Sequence, residues 1–215
     1  MFYIMLALKA ELQQQGHFER AGLAPPNLAS LLDIVAVGTV ADVVVLDKNN
    51  RILVHQGLQR IRAGKCRPGI KALVEVANRD CAHLTSTDLG FVVGPRLNAA
   101  GRLDDMSQGI ACLLEDETIQ ARMIAAELDA LNKERREIET GMKAQAETVL
   151  EQMALDEGDM PSALVVYRED FHQGVIGIVA GRLKEKYLKP VIAFAHQDDE
   201  IIKGSARSMG MEVVE

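Results

Sequence analysis

The sequence predicts an α/β chain in three parts: a parallel-sheet domain over residues 1–114, a long connecting helix over 115–157, and the start of a second α/β unit over 158–215. Three observations carry this reading. A dense run of β-branched residues, DIVAVGTVADVVVLD, begins at Asp33. Apolar residues then recur at helical spacing from Ile124 to Met153. After Gly158 the pattern changes to strand, helix and strand in turn.

Each element has a local reason. Phe2 to about Gln15 has helical periodicity, and Gly16 ends it. Pro25 and Pro26 forbid helix continuation through GLAPPNL, and Asn27 or Ser30 is placed to cap a short helix. Ile34–Val37 reads as a buried strand of the parallel-sheet kind. The stretch through Leu46 is either a short helix or an extended segment. Asn49 to Cys66 suits a helix ending near Gly64, and Ile70–Ala77 suits another beyond the Pro68-Gly69 turn. A helix beginning at Ser86 or Thr87 is expected to stop at Gly94-Pro95, and Gln108–Leu114 reads as a short apolar helix.

From about Glu117 to Glu157, Ile124, Leu128, Leu131, Ile138, Met142, Ala146, Val149 and Met153 fall on one helical face. A helix of about 40 residues at ~1.5 Å each spans about 60 Å, more than the width of a small domain. Such a helix joins two bodies or packs across several elements; its apolar face is not the sustained heptad of a coiled coil. Ala163–Tyr167 and Val191–Ala195 are strand candidates around a Val175–Tyr187 helix, and Ile201–Lys203 begins a third strand. So few elements leave a core open, and self-association through this incomplete second unit is expected.

Composition bounds the function classes. Apolar residues make up 48% and charged residues 26% of the 215, the balance of an ordinary soluble protein. No window approaches the roughly 18 apolar residues of a membrane span, so no membrane partner is expected. The apolar start is short and lacks a basic leader, which reads as a helix rather than an export signal. Cys66, Cys81 and Cys112 show neither a disulfide framework nor a CxxC metal knuckle, and reduced structural thiols in the cytoplasm are expected. The net charge of −7 argues against a chain that coats nucleic acid nonspecifically. Yet Lys48 to Lys71 holds seven basic residues and no acid, a face that either lies along a polyanion or is countered by acids elsewhere in the fold.

Four runs carry candidate chemistry. Asp42 ends GTVAD, where the carboxyl end of a strand would meet the surface, and is a ligand for a hard divalent cation or a cap. Its fellow ligands are missing: the five histidines are scattered, and no DHH or DxD run occurs. In GPRLNAAGRLDD, Arg96 and Arg102 flank Asn98 among small residues, which suits a phosphodiester contact or a tight helix junction with acid-paired arginines. HQGVIGIVAGRLKEK places Gly174 and Gly177 at the start of a helix, whose free N–H groups can meet an anion. In KGSARS, strand alternation puts Lys203, Ser205 and Arg207 on one side, a phosphate cradle or an ordinary polar strand.

These four runs, in this order, resemble the RecJ branch of the DHH phosphoesterase superfamily over essentially the whole chain. The resemblance implies the C-terminal part of a DHH-type parallel-sheet domain, a long connecting helix and the start of an α/β DHH-associated domain. It implies a 5′-to-3′ single-stranded DNA exonuclease of recombination and repair that uses Mn2+ or Mg2+. On that resemblance Asp42 is a metal ligand, and Arg96, Asn98 and Arg102 lie near the nucleic-acid path. His172, Ser205 and Arg207 handle substrate, with Ser205 and Arg207 on a terminal phosphate. Ala206 departs from the glycine more usual in that motif. The family's aspartate motifs, its DHH triplet and its GGH-type motif are absent from these 215 residues. The expectation is therefore an internal fragment of such a nuclease, without metal-dependent activity by itself. The alternatives are a phosphodiesterase for short oligonucleotides or cyclic dinucleotides, and a non-catalytic single-strand-binding or assembly module.

Overall fold

A computed structural model of the chain describes residues 1–157, 161–198 and 200–209, with 153–157 described by backbone alone. The chain forms two compact units, Met1–Ala100 with Met106–Asp129, and Gly101–Asp105 with Ala130–Glu215.

The regular elements of the first unit are all helices among its described residues. Helices α1 (Phe2–Gln14) and α2 (His17–Ala21) are separated by Gly16 in the left-handed conformation. A short 3-10 turn at Leu28–Leu31 follows Asn27, whose side chain makes no capping bond.

The strand expected at Ile34–Val37 is instead part of helix α3, Leu32–Ala41. Its buried residues are Asp33, Ala36 and Val37, the spacing of a helical face. Helix α4 (Lys48–Arg62) crosses it at Gly57, where a Cβ would lie 2.2 Å from the Leu32 carbonyl oxygen and 2.5 Å from the Ala36 Cβ. A run apolar at nearly every position carries no period to separate a buried helix from a buried strand. The buried carboxylate of Asp33 accepts from the Ile34 N–H at 2.8 Å and the Arg67 N–H at 2.9 Å, so its burial is compensated.

Asp47 caps α4 by accepting from the Asn50 N–H at 2.8 Å. Helix α5 (Pro68–Val76) has proline in its first turn, where the missing N–H costs nothing. It buries Ile70, Leu73 and Val74.

The helix expected to stop at Gly94-Pro95 continues through it. Helix α6 (Ser86–Asp88) starts from a capping box of Thr85 and Asp88. It leads through a π-type turn at Leu89–Val93 into helix α7, Gly94–Leu103. Proline normally drives its predecessor out of the helical region because of the clash with Cβ. Gly94 has no Cβ and sits at φ −54°, ψ −48°. The wider turn shifts the hydrogen-bond register ahead of Pro95, and the Arg96 Nη1 donates to the Val92 carbonyl at 2.7 Å. Helix α8 (Ser107–Leu114) then packs on α5 at Gly69, where a Cβ would lie 1.7 Å from the Cys112 carbonyl oxygen.

Helix α9 (Thr118–Glu157) is one continuous element of 40 residues. Leu128, Met142, Ala146 and Leu150 are buried along it, Val149 of the expected apolar face is exposed, and Met153 lies outside the described side chains. In the second unit, strand β1 (Leu164–Tyr167) pairs in parallel with β2 (Val191–His196), which pairs antiparallel with β3 (Ile202–Arg207). Helix α10 (Ile176–Tyr187) makes the crossover. Its buried face of Ile176, Val179, Ala180 and Leu183 forms one core with Leu164, Val166, Val191 and Ala193, and with Met142, Ala146 and Leu150 of α9. Arg182 reaches Glu139 at 3.2 Å and Lys186 reaches Glu147 at 3.0 Å, fixing the α9–α10 alignment from outside. Among the described residues, no helix is long and apolar enough to cross a membrane.

Candidate functional site

The sequence-selected residues fall into separate groups. Asp42 and Asn98 line a cavity of about 210 Å³ in the first unit, together with Ile34, Val37, Leu97 and Met106. Asp42 ends α3 as its C-terminal cap residue, at a helix end rather than the strand end the sequence suggested. Its exposed carboxylate makes no hydrogen bond or ion pair among the described residues. One carboxylate and one amide against an apolar wall are too few donors for a divalent ion, which takes six or more oxygens. No group of three or more His, Cys, Asp or Glu able to hold a metal converges among the described residues. The residues present therefore do not make up a metal centre.

Arg96, just beyond the π-type turn, points into the first unit. Its Nε and Nη2 meet the Asp129 carboxylate at 2.9 and 2.7 Å, and both side chains are nearly buried, at 12% and 8% exposure. This is the acid-paired helix junction that the GPRLNAAGR run also allowed. Three residues of the basic stretch Lys48–Lys71 find partners within the fold. Arg62 donates to the Leu84 carbonyl at 2.8 Å, Arg51 to the Leu46 carbonyl at 2.7 Å, and Lys71 pairs with Glu75 at 3.7 Å.

The second group lies wholly within the second unit. Arg102, Gly174, Gly177, Lys203, Ser205 and Arg207 line a cleft of about 300 Å³. The β3 strand delivers Lys203, Ser205 and Arg207 at alternate positions, and α10 begins beneath them. Arg207 donates to the Ser205 hydroxyl at 3.1 Å. A Cβ at Gly177 would lie 3.0 Å from the Arg207 Nη2 and 3.1 Å from the Ser205 Oγ, so glycine leaves the helix start open to both. The Gly177 N–H meets no backbone acceptor among the described residues. A helix start, a hydroxyl, a guanidinium and an ammonium lining one cleft are the kinds of donor that an anion accepts from. Ala206 is accommodated in β3 opposite Ile192.

The loop before α10 is held from both sides. The His172 Nδ1 accepts from the Gly174 N–H at 3.1 Å, and the Arg102 Nη1 donates to the Gly174 carbonyl at 3.1 Å. A Cβ at Gly174 would lie 2.0 Å from the Arg102 carbonyl oxygen. His172 thus shapes the loop without lining the cleft. Sequence reasoning passed over Gly101 and Gln173, which also line it and carry no signal of their own.

The chain is similar to known proteins over nearly its whole length. A single-stranded-DNA-specific exonuclease RecJ of Dickeya dadantii (strain 3937) is 60% identical over 208 residues, covering 97% of this chain. The chain is RecJ-like. The Escherichia coli (strain K12) RecJ is 59% identical over the same span. This RecJ-like chain corresponds to 36% of the length of each of those relatives. Residues 161–215 match the DHHA1 domain, which holds most of the second cleft. A crystal structure of Thermus thermophilus RecJ in complex with Mn2+ superposes with a TM-score of 0.71 at 35% identity, over 89% of this chain and 27% of that one. A counterpart from the same organism in complex with Mg2+ gives 0.70. The mixed α/β fold, mostly helical with a small sheet, is the fold of those RecJ structures over the matched segment.

Proposed function

We propose that this chain is the substrate-positioning part of a RecJ-like enzyme that hydrolyses phosphodiester bonds of single-stranded DNA from the 5′ end in recombination and repair. The observation that carries the reading is the cleft in which Ser205 and Arg207 face Gly177 at the start of α10. Arg207 offers a fork to phosphate oxygens and Ser205 a hydroxyl donor, while Lys203 adds charge at the rim. Arg102 and His172 act through the Gly174 loop, keeping the helix start in place against β3.

The metal requirement belongs to the whole enzyme, in which Mn2+ or Mg2+ would activate water and neutralise the reacting phosphate. The complexes of the Thermus thermophilus relative with those ions support that expectation. Asp42 would contribute one ligand, with the others coming from residues outside this chain. This segment alone is therefore proposed to bind single strands without cutting them.

The test is a pair of measurements on the purified 215-residue chain. Fluorescence anisotropy with a labelled single strand should show salt-sensitive binding that is tighter with a 5′-phosphate than with a 5′-hydroxyl. Incubation with Mn2+ should leave the strand intact. Digestion would overturn the non-cutting assignment, and equal affinity for the two ends would overturn the terminal-phosphate role of Ser205 and Arg207.

A further inference from the structure

Gln173 sits in the tight turn that leads from Phe171 into α10. The Val175 and Ile176 N–H groups both donate to the His172 carbonyl, at 3.0 and 3.3 Å, and the Gly174 N–H donates to the His172 Nδ1 at 3.1 Å. Phe171 and Val175, on either side, are buried in the core of the second unit. Arg102 holds the turn from outside, its Nη1 donating to the Gly174 carbonyl at 3.1 Å. The turn therefore carries two residues between fixed ends, and Gly174 has no side chain to offer. Gln173 is the side chain that it presents to the cleft.

The charged groups around it are partly engaged already. The Arg207 Nη1 donates to the Ser205 hydroxyl at 3.1 Å and to the Ala206 carbonyl at 2.7 Å, and Arg102 is held on Gly174. Gln173 is half-buried, and its amide makes no hydrogen bond among the described residues. A polar group drawn partly out of water without an internal partner is one that a ligand can satisfy. The other polar side chains lining the cleft are Arg102, Lys203, Ser205 and Arg207, with no acid among them. The amide adds two N–H donors to these cations and the hydroxyl without adding charge.

We infer that Gln173 is a specificity-determining residue of this cleft, its side-chain amide donating to the phosphate monoester at the 5′ end of a single strand, a role that rests on the cleft's holding a terminal phosphate. Because the turn is fixed beforehand, little backbone order is lost when the bond forms. A hydroxyl end brings no anionic oxygen to the amide, so the contact favours the phosphorylated end alone. A glutamate at this position would have the same shape but only acceptors; it would pair with the cations of the cleft and repel the phosphate.

The test compares the full chain with its Gln173→Met and Gln173→Glu variants by fluorescence anisotropy, on one labelled single strand carrying either a 5′-phosphate or a 5′-hydroxyl. Methionine keeps the length of the side chain without the amide. Gln173→Met should weaken binding of the phosphorylated strand about tenfold and of the hydroxyl strand by less than about twofold. Gln173→Glu should weaken binding of the phosphorylated strand about a hundredfold and remove the preference between the two ends. If the unsubstituted chain prefers the phosphorylated end and both variants keep that preference, the role of Gln173 is overturned and that of the cleft stands. If the unsubstituted chain shows no preference, the terminal-phosphate role of the cleft is overturned, and that of Gln173 with it. In the isotope-labelled unsubstituted chain, NMR should show the Gln173 side-chain amide protons moving downfield with the phosphorylated strand and not with the hydroxyl strand. That measurement keeps the test decisive where a variant folds poorly, and an unmoved amide would overturn the contact.

Discussion

The two units treat their candidate residues differently. In the first, the cavity holding Asp42 and Asn98 is walled by Ile34, Val37, Leu97 and Met106, and the nearest arginine of the same motif is committed to Asp129. In the second, the cleft is built from glycine backbone, a hydroxyl and cations that face one another. A hard cation needs many oxygens held at once, whereas an anion needs only a few donors aimed at one point. A short stretch of chain can therefore complete an anion site from one strand and one helix start, while a metal centre draws on ligands far apart in sequence.

The largest effect that would sharpen this contrast is at Arg96. Replacing it with alanine breaks the buried ion pair with Asp129, and the expected loss is about 3–5 kcal/mol, read from a lowered urea midpoint. An unchanged midpoint with lost affinity for single strands would instead move Arg96 onto the nucleic-acid path.

At the second cleft, Arg207→Ala should weaken single-strand binding by about ten- to a hundredfold, the worth of a charge-assisted hydrogen bond of about 1.5–3 kcal/mol. Its melting temperature should be unchanged. Anisotropy titrations at two salt concentrations read the effect, and a flat result would remove Arg207 from the site.

Two glycines separate shape from contact. Gly174→Ala forces a Cβ onto the Arg102 carbonyl and should cost about 1–3 kcal/mol of stability by chemical denaturation. At Gly177 the new methyl meets only the ends of Arg207 and Ser205, so Gly177→Ala should reduce affinity with little change in the denaturation midpoint. If both substitutions acted on stability alone, the cleft would be a packing feature.

The smallest effect is expected at Asp42. Asp42→Asn should leave both stability and single-strand affinity unchanged, within about 0.5 kcal/mol, because its carboxylate is exposed and makes no bond among the described residues. A clear loss of affinity in the absence of metal would mean that the carboxylate acts in this segment by itself.

Much of this fold is legible from local pattern. The helix over α9, the presence of α4 and α5 and the β-α-β order of the second unit follow from periodicity, whereas α5 starts at Pro68, within its first turn, rather than at Ile70 beyond a Pro68-Gly69 turn. The alternation of Lys203, Ser205 and Arg207 also follows from strand geometry. The two misreadings share a cause. Ile34 to Val37 look like a strand because the run is apolar at nearly every position, and Gly94-Pro95 looks like a stop because Pro usually is one. Both were decided by neighbours: Gly57 admitting α3 against α4, and a π-type turn restoring the register before Pro95.

The sequence alone determined which groups this protein has to work with: the order of its four motifs, the donors of KGSARS and the lone carboxylate of GTVAD. Tertiary structure decided how each is used. It buried Arg96 on Asp129 and set Ser205 and Arg207 over Gly177. Chemistry at a site depends on distances of a few ångströms between residues far apart in the chain. Those distances are set by backbone approach at positions such as Gly57, Gly69 and Gly174, which the one-dimensional pattern does not encode.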